Sequence, residues 1–278
     1  MKVVIKGRTI FDGIEILKAD SILIEDGIVK DIDYNLKCDN TVEFLNSFIL
    51  PGMVDAHIHI SGLSGTNATT AFFGIEPKTR LMRGIPWLNE ILRSGFTTIR
   101  DCGNDNSIFL RDAVKEGLIR GPRIVAAGKA LTQTFGHGEL SHSIPVEWNE
   151  ERGWSIICDG VDECIKGARS VLRSGADFIK IITTGGVISE RDSPEQEQFT
   201  LEEISAIVRE AEKAGTYVAA HAHGDQGIRN AIDGGVKFIE HGTLASHSSL
   251  KIMAEKNVSL TVTLSIVELI TKYGRNLG

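Results

Sequence analysis

His57 and His59 lie two residues apart in Phe48-Ile49-Leu50-Pro51-Gly52-Met53-Val54-Asp55-Ala56-His57-Ile58-His59-Ile60, an apolar run containing a Pro-Gly turn. If the run is a buried β-strand, side chains two apart face the same way and both imidazoles converge at its end. Converging neutral imidazoles can share one metal ion, and zinc and its first-row neighbours are the ions they suit. Two ordinary polar residues closing a strand would leave the same short motif, so the other histidines decide the matter. His221 closes Tyr217-Val218-Ala219-Ala220-His221, and His241 closes Lys237-Phe238-Ile239-Glu240-His241. Four of the eight histidines thus end strand-like runs, which a scatter of solvated histidines would not do.

Lys180 is informative for a different reason. It sits inside Phe178-Ile179-Lys180-Ile181-Ile182, where its charge would be buried at a cost. A buried amine that sheds its proton can take up carbon dioxide beside a metal, giving a carbamate whose oxygens can bridge two ions. A lysine on an edge strand reaching solvent is the plainer alternative. His223 follows His221 by two residues, so it can face the same cavity or serve the core. His137, in Thr134-Phe135-Gly136-His137-Gly138-Glu139, and nearby His142 fall on a long loop. Asp101 ends Phe96-Thr97-Thr98-Ile99-Arg100-Asp101, where Arg100-Asp101 could orient a ligand or hold a turn. Asp55 is expected on the opposite face with a structural role, and His247 at the surface.

Strands must alternate with helices to gather these groups. Beginning with Phe48, seven short apolar runs qualify: Ile49–Ile58, Phe96–Asp101, Arg123–Ala127, Asp177–Ile182, Tyr217–His221, Lys237–His241 and Val258–Val262. The clearest helix spans Leu201 to Ala214, with a Thr200/Glu203 capping box and Gly215 at its end. Val161–Ser174 and Asp225–Ile232 are two more. Near-continuous apolar strands alternating with helices predict a parallel sheet under helices. Seven such units point to a TIM-like (β/α) barrel lacking the eighth unit. A doubly wound sheet is the rival, but no GxGxxG follows the first strand. Residues 1–47 differ: three short β runs separated by Asp12-Gly13 and Asp26-Gly27 predict a small antiparallel segment. Two long connections, 61–85 and 128–160, are expected to be functional loops at the barrel's C-terminal face.

Composition narrows the partners. Net charge is −7 and no Lys/Arg cluster occurs, so nucleic acid and anionic membranes are poor partners and a small-molecule substrate is expected. The four cysteines form no CxxC, and neither a signal peptide nor an apolar span is visible. A cytoplasmic protein with reduced thiols is expected, and a homo-oligomer.

Four motifs in order carry a family resemblance: Pro51-Gly52-Met53-Val54-Asp55-Ala56-His57-Ile58-His59, Asp177-Phe178-Ile179-Lys180-Ile181 with Thr184-Gly185-Gly186-Val187, Ala220-His221-Ala222-His223-Gly224, and Ile239-Glu240-His241-Gly242. The chain resembles the amidohydrolase superfamily, in particular the imidazolonepropionase-related branch that includes Xaa-Pro dipeptidase-like and N-acyl amino acid hydrolases. The resemblance implies two divalent ions, zinc above all. His57 and His59 would hold the more buried one, a carbamate on Lys180 would bridge, and His221 and His241 would hold the second. Lys180 and His223 would be catalytic, with His137 and His223 on the substrate side.

The implied reaction is hydrolysis of a C–N amide bond, in a dipeptide or N-acyl amino acid, by a metal-bound hydroxide, since metals lower the pKa of water from about 15.7 toward 7. A cyclic imide or lactone is the nearest variant substrate. A mononuclear deaminase is disfavoured by Lys180 and by the lack of His-x-x-Glu on the fifth strand. In this family the eighth strand ends in a metal-binding aspartate that shuttles a proton. The sequence reaches Gly278, just after a helix-like stretch (267–273), without a counterpart. The expectation is therefore a partial β-sandwich segment (1–47) and a C-terminally truncated barrel (48–278). A non-catalytic metal-binding fragment is the alternative from another class.

Overall fold

The computed structural model describes residues 1–63, 72–139, 144–187 and 191–274. The chain divides into two compact units, Met1–Met53 and Val54–Gly278.

In the first unit, β1 (Lys2–Phe11), β2 (Ile16–Leu17), β3 (Ser21–Glu25), β4 (Ile28–Asp33) and β5 (Thr41–Ile49) form one five-stranded sheet. The β1–β3 and β3–β4 pairs are antiparallel, as the turn residues predict, whereas β5 runs parallel to β1. Asp26 and Gly27, with φ of 51° and 78°, make the tight turn between β3 and β4 that needs two left-handed residues. One expectation is corrected here. Ile49 belongs to β5, paired with Ile10 of β1, and not to the strand that carries His57. Pro51-Gly52 ends one ladder before the next begins, because proline has no N–H to donate.

In the second unit, β6 (Met53–Ile58), β7 (Phe96–Asp101) and β8 (Arg123–Ala126) form a three-stranded sheet. A six-stranded sheet has the order β10-β9-β11-β12-β13-β14. Its members are β9 (Ala130–Thr132), β10 (Ser155–Ile157), β11 (Ile179–Ile182), β12 (Val218–Ala222), β13 (Phe238–His241) and β14 (Ser259–Thr261). Its pairs are parallel, as is β7–β8. Around them run α1 (Pro77–Arg93), α2 (Asn106–Lys115), α3 (Val146–Arg152), α4 (Gly160–Arg173), α5 (Leu201–Lys213), α6 (Asp225–Asp233), α7 (His247–Glu255) and α8 (Leu264–Tyr273). The result is a mixed α/β fold with parallel sheets. Helix α5 has the predicted capping box, with both reciprocal bonds present.

The two long connections are less loop-like than expected. Residues 128–160 contain β9, α3 and β10, and α1 begins at Pro77. Segments of three to seven residues carry too little periodicity to be read from sequence.

Strand parity sorts the side chains. Ile179 and Ile181 of β11, Ala220 and Ala222 of β12 and Ile239 of β13 enter the core shared with Ile204 and Ile207 of α5 and Ile228 of α6. The alternate positions, Lys180, Ala219, His221, Phe238 and Glu240, therefore face the other way. There Phe178, Tyr217 and Phe238 form an aromatic layer, with Phe178 stacked on Tyr217 (centroids 5.1 Å apart) and Tyr217 against Phe238 (4.8 Å).

Apolar surface remains exposed on three edge elements. Phe44, Leu45 and Phe48 of β5 are 51–65% exposed, Val54 of β6 is 61% exposed, and α8 buries no residue. Among the described residues β6 pairs only with β7, and β14 only with β13. Unpaired edges beside apolar surface favour association. The 278-residue chain is therefore expected to run above its monomer mass in light scattering at micromolar concentration; a clean monomer would show that these edges are tolerated.

Candidate functional site

His57 and His59 converge as the strand period requires. His57 Nδ1 lies 2.7 Å from Glu240 Oε2, and His59 Nδ1 lies 3.0 Å from the carbonyl oxygen of Gly103. Neither partner oxygen can donate, so in each neutral ring Nδ1 carries the hydrogen and Nε2 is left with its lone pair. The two Nε2 atoms face each other at 3.3 Å. With both rings so committed no hydrogen stands between them, and a cation is what such a pair of lone pairs accommodates. Divalent-metal ligands of this kind are oriented by the same outer partners, a carboxylate and a backbone carbonyl.

Glu240 is the residue that sequence reading passed over. It is wholly buried, and its other oxygen, Oε1, takes a hydrogen bond from Arg100 Nη2. Arg100 also donates through Nε to Ala56 O (2.8 Å) and through Nη2 to Thr261 Oγ1 (3.3 Å). Its guanidinium lies over the Phe238 ring at 4.6 Å. Arg100 thus joins β6, β7, β13 and β14. Cys102 Sγ, His57 and Glu240 are also close enough to hold an ion. Arg100 already donates to that carboxylate, however, and in the metal-free chain burial pushes the Cys102 thiol up to about 12. A carboxylate inside the apolar run Phe238-Ile239-Glu240 carries the same signal that singled out Lys180.

A second group gathers His221, His223 and His241, each with one ring nitrogen within 4.8 Å of the others'. His221 Nε2 faces Gly185 O (3.2 Å), His223 Nδ1 faces Thr243 Oγ1 (2.9 Å), and His241 Nδ1 faces Thr263 Oγ1 (2.8 Å). The rings of His57 and His241 are 4.8 Å apart, which links the two groups. His241 has a φ of 75°, the left-handed region that non-glycine residues avoid. By strand parity it should point opposite to Glu240; the reversed φ turns it back to the same side. Such strain persists where surrounding contacts enforce it. His223 joins its two neighbours instead of standing apart from them.

Lys180 is 1% exposed, so the solvent-facing alternative falls. Its charge contributes to the electrostatics of all six clustered histidines, and among the described residues no hydrogen bond or ion pair reaches its Nζ.

His137 reaches the cluster from its loop and stacks on His221, with centroids 4.5 Å apart. Its Nδ1 lies 3.7 Å from Asp192, whose carboxylate is held by Gly186 N–H (3.2 Å) and Gln198 Nε2 (3.4 Å). A Cβ on Gly186 would sit 2.0 Å from the His137 ring, so only glycine allows this placement. Asp101 holds a turn: its carboxylate accepts from Ile60 N–H (2.6 Å) and Gly103 N–H (3.1 Å). Burial still pushes it up to about 7. Asp55 accepts from the His57 N–H (3.1 Å), a local backbone role as expected. His247 is exposed, and His142 lies outside the described residues.

Burial is the main reason the histidines stay neutral, with the Lys180 charge acting in the same direction. His59 is pushed down to about 4, and His57 and His241 further. His137 is also pushed to about 4 by burial, although Asp192 pulls it up. Neutral imidazole is the ligand form, and the donor set fits divalent metal of the zinc type.

Parallel strands under helices, with buried histidines and a lysine gathered on their inner positions, define a class of α/β proteins built around one polar centre. The chain belongs to the amidohydrolase family, which matches residues 48–278. It is 34% identical over 239 residues to the ochratoxinase of Aspergillus niger, covering 80% of this chain and 48% of that protein. The chain thus spans about half the length of this curated relative. Among solved structures, a prolidase complexed with N-methylphosphonate-L-proline is similar with a TM-score of 0.91 at 31% identity, covering 100% of this chain and 70% of that one. A Xaa-Pro dipeptidase with methionine bound in its active site gives 0.89 at 31% identity, covering 99% and 70%.

The depressed histidines set a pH dependence. The folded, metal-free chain binds fewer protons than the unfolded chain wherever these groups remain neutral in one state and charged in the other. Their contribution to stability is full above the ordinary histidine value of 6.5 and shrinks as pH falls, because the unfolded rings take up protons first. That of His59 and His137 is lost by about 4, and that of His57 and His241 lower still. Melting temperature of the metal-free protein should fall steeply over that window. A flat profile down to pH 4.5 would mean that the histidines are solvated.

Proposed function

We propose that this chain carries the metal centre of a hydrolase that cleaves the amide bond of a small substrate, a dipeptide or an N-acyl amino acid. The observation that carries the reading is the pair of Nε2 lone pairs 3.3 Å apart with both Nδ1 atoms already committed. His57 and His59 would hold one divalent ion, and His221 and His241 a second. Lys180 would bridge as a carbamate: its ammonium gives up one proton, the freed nitrogen lone pair forms an N–C bond to CO2 as one C=O π pair moves to oxygen, and a second proton then leaves the nitrogen. An uncompensated ammonium among apolar strand residues is costly, and the carbamate replaces it with oxygens that bind metal. Bound divalent ions would supply a water of lowered pKa and polarise the scissile carbonyl.

The chain's own groups do the rest. The aromatic layer of Phe178, Tyr217 and Phe238 packs with Cys102 and Ala219 at the strand-start side of the site. His223 and His137 would contact the substrate, His137 being held in place by Asp192 and the space left by Gly186. We read the two parallel sheets as arcs of one (β/α) barrel, since only three residues separate β8 from β9 and Asp177 N–H donates to Ala126 O (2.8 Å). On that reading a further βα unit belongs between β14 and β6, in place to supply a group that protonates the leaving nitrogen. Amidohydrolase membership and the prolidase and ochratoxinase similarities favour an amide substrate over a lactone.

Two variants separate the parts of this reading. His57→Ala should lose most bound zinc and with it any turnover of Xaa-Pro dipeptides or N-acyl amino acids. Gly186→Ala should keep its zinc but lose about 100-fold in kcat/KM, because displacing one positioned group by an ångström costs on that order. Zinc per chain, measured by emission spectroscopy, and turnover on the substrate panel are the readouts. Undiminished zinc in His57→Ala would remove the proposal.

A further inference from the structure

We propose that Glu240, itself held by Arg100, is a positioning residue that decides which nitrogen of His57 faces the metal. The inference rests on reading the histidine cluster as a metal site and adds the device that prepares it. A neutral imidazole carries one N–H, and the group beside it decides where that hydrogen sits. A carboxylate can only accept, so Glu240 Oε2, 2.7 Å from Nδ1, makes Nδ1 the donor and leaves Nε2 bare. Arg100 can only donate, and it takes the other oxygen. Both oxygens of a fully buried carboxylate are thus engaged by hydrogens, which leaves Glu240 as an orienting group and not a ligand.

Arg100 adds a second constraint. Its Nε–H holds the carbonyl of Ala56, the residue before His57, at 2.8 Å. One guanidinium therefore fixes both the strand that presents the imidazole and the carboxylate that sets its hydrogen. His59 is prepared differently, by the backbone carbonyl of Gly103, which no side-chain change at position 240 can reverse. This asymmetry gives the test.

In Glu240→Gln the carboxamide has one accepting and one donating end. Arg100 claims the oxygen, so the NH2 turns toward His57 Nδ1. That nitrogen must then accept, and the ring hydrogen moves to Nε2, into the space between His57 and His59. Zinc affinity, read by competition with a chromophoric chelator, should fall about 10- to 100-fold, the usual range for removing an orienting partner. Long-range nitrogen-15 NMR of the metal-free proteins should show His57 as the Nδ1–H form in the wild type and the Nε2–H form in the variant. His59 should remain Nδ1–H in both. A purely structural role would lower stability without moving the hydrogen. Folded Glu240→Gln that binds zinc as the wild type does, or that keeps Nδ1–H on His57, overturns the proposal. If that variant does not fold, Glu240→Asp keeps a charge for Arg100 but is one methylene shorter. It should bind zinc at least about tenfold more weakly, and wild-type affinity there would equally overturn the proposal. Wild-type protein that takes up no zinc in the same titration would instead refute the metal-site reading on which the inference rests.

Discussion

Two nitrogen lone pairs aimed at each other across 3.3 Å are the constraint on which the site depends. Left alone, two imidazoles in contact would settle with one hydrogen between them. Here each ring has its hydrogen drawn to the far side, one by a carboxylate and the other by a carbonyl. The arrangement is costly without a cation and favourable with one. Burial reinforces it, because charging either ring by protonation is disfavoured in a desolvated cluster that also holds Lys180.

The fold meets this constraint by strand parity. Each strand sends alternate residues to the helix-covered core, so the remaining positions on β6, β7, β11, β12 and β13 converge, with His59 and His223 one residue past the ends of β6 and β12. Sites built on strands are held more tightly than sites on loops. Two exceptions mark where the plan needed help. His241 takes a left-handed φ of 75° to reverse its strand's parity, and His137 arrives on a loop through a gap that only Gly186 leaves open.

Much of this was legible in the residues. The two-residue spacing of His57 and His59 predicts their shared face, and a lysine inside an apolar run predicts burial, which 1% exposure bears out. The Thr200/Glu203 box predicts the start of α5. What failed to show did so for definable reasons. Phe48-Ile49-Leu50 reads as continuous with the His57 strand because hydrophobicity does not register a break that proline imposes on hydrogen bonding. Elements as short as β9 and β10 have no period to detect. The bond between His57 and Glu240 spans 183 residues, and only the folded pairing of strands brings it about. Glu240 carries the same signal as Lys180, a charged residue inside an apolar run, but its partner is not visible in the sequence.

The central claim is that these nitrogens and Lys180 are arranged for divalent metal. It is tested most directly by a crystal structure of the zinc-soaked chain with anomalous data at the zinc edge. The account predicts an anomalous peak bonded to Nε2 of both His57 and His59, with density for a carbamate extending from Lys180 toward it. An unmodified Lys180 amine and no anomalous signal between the two imidazoles would contradict it.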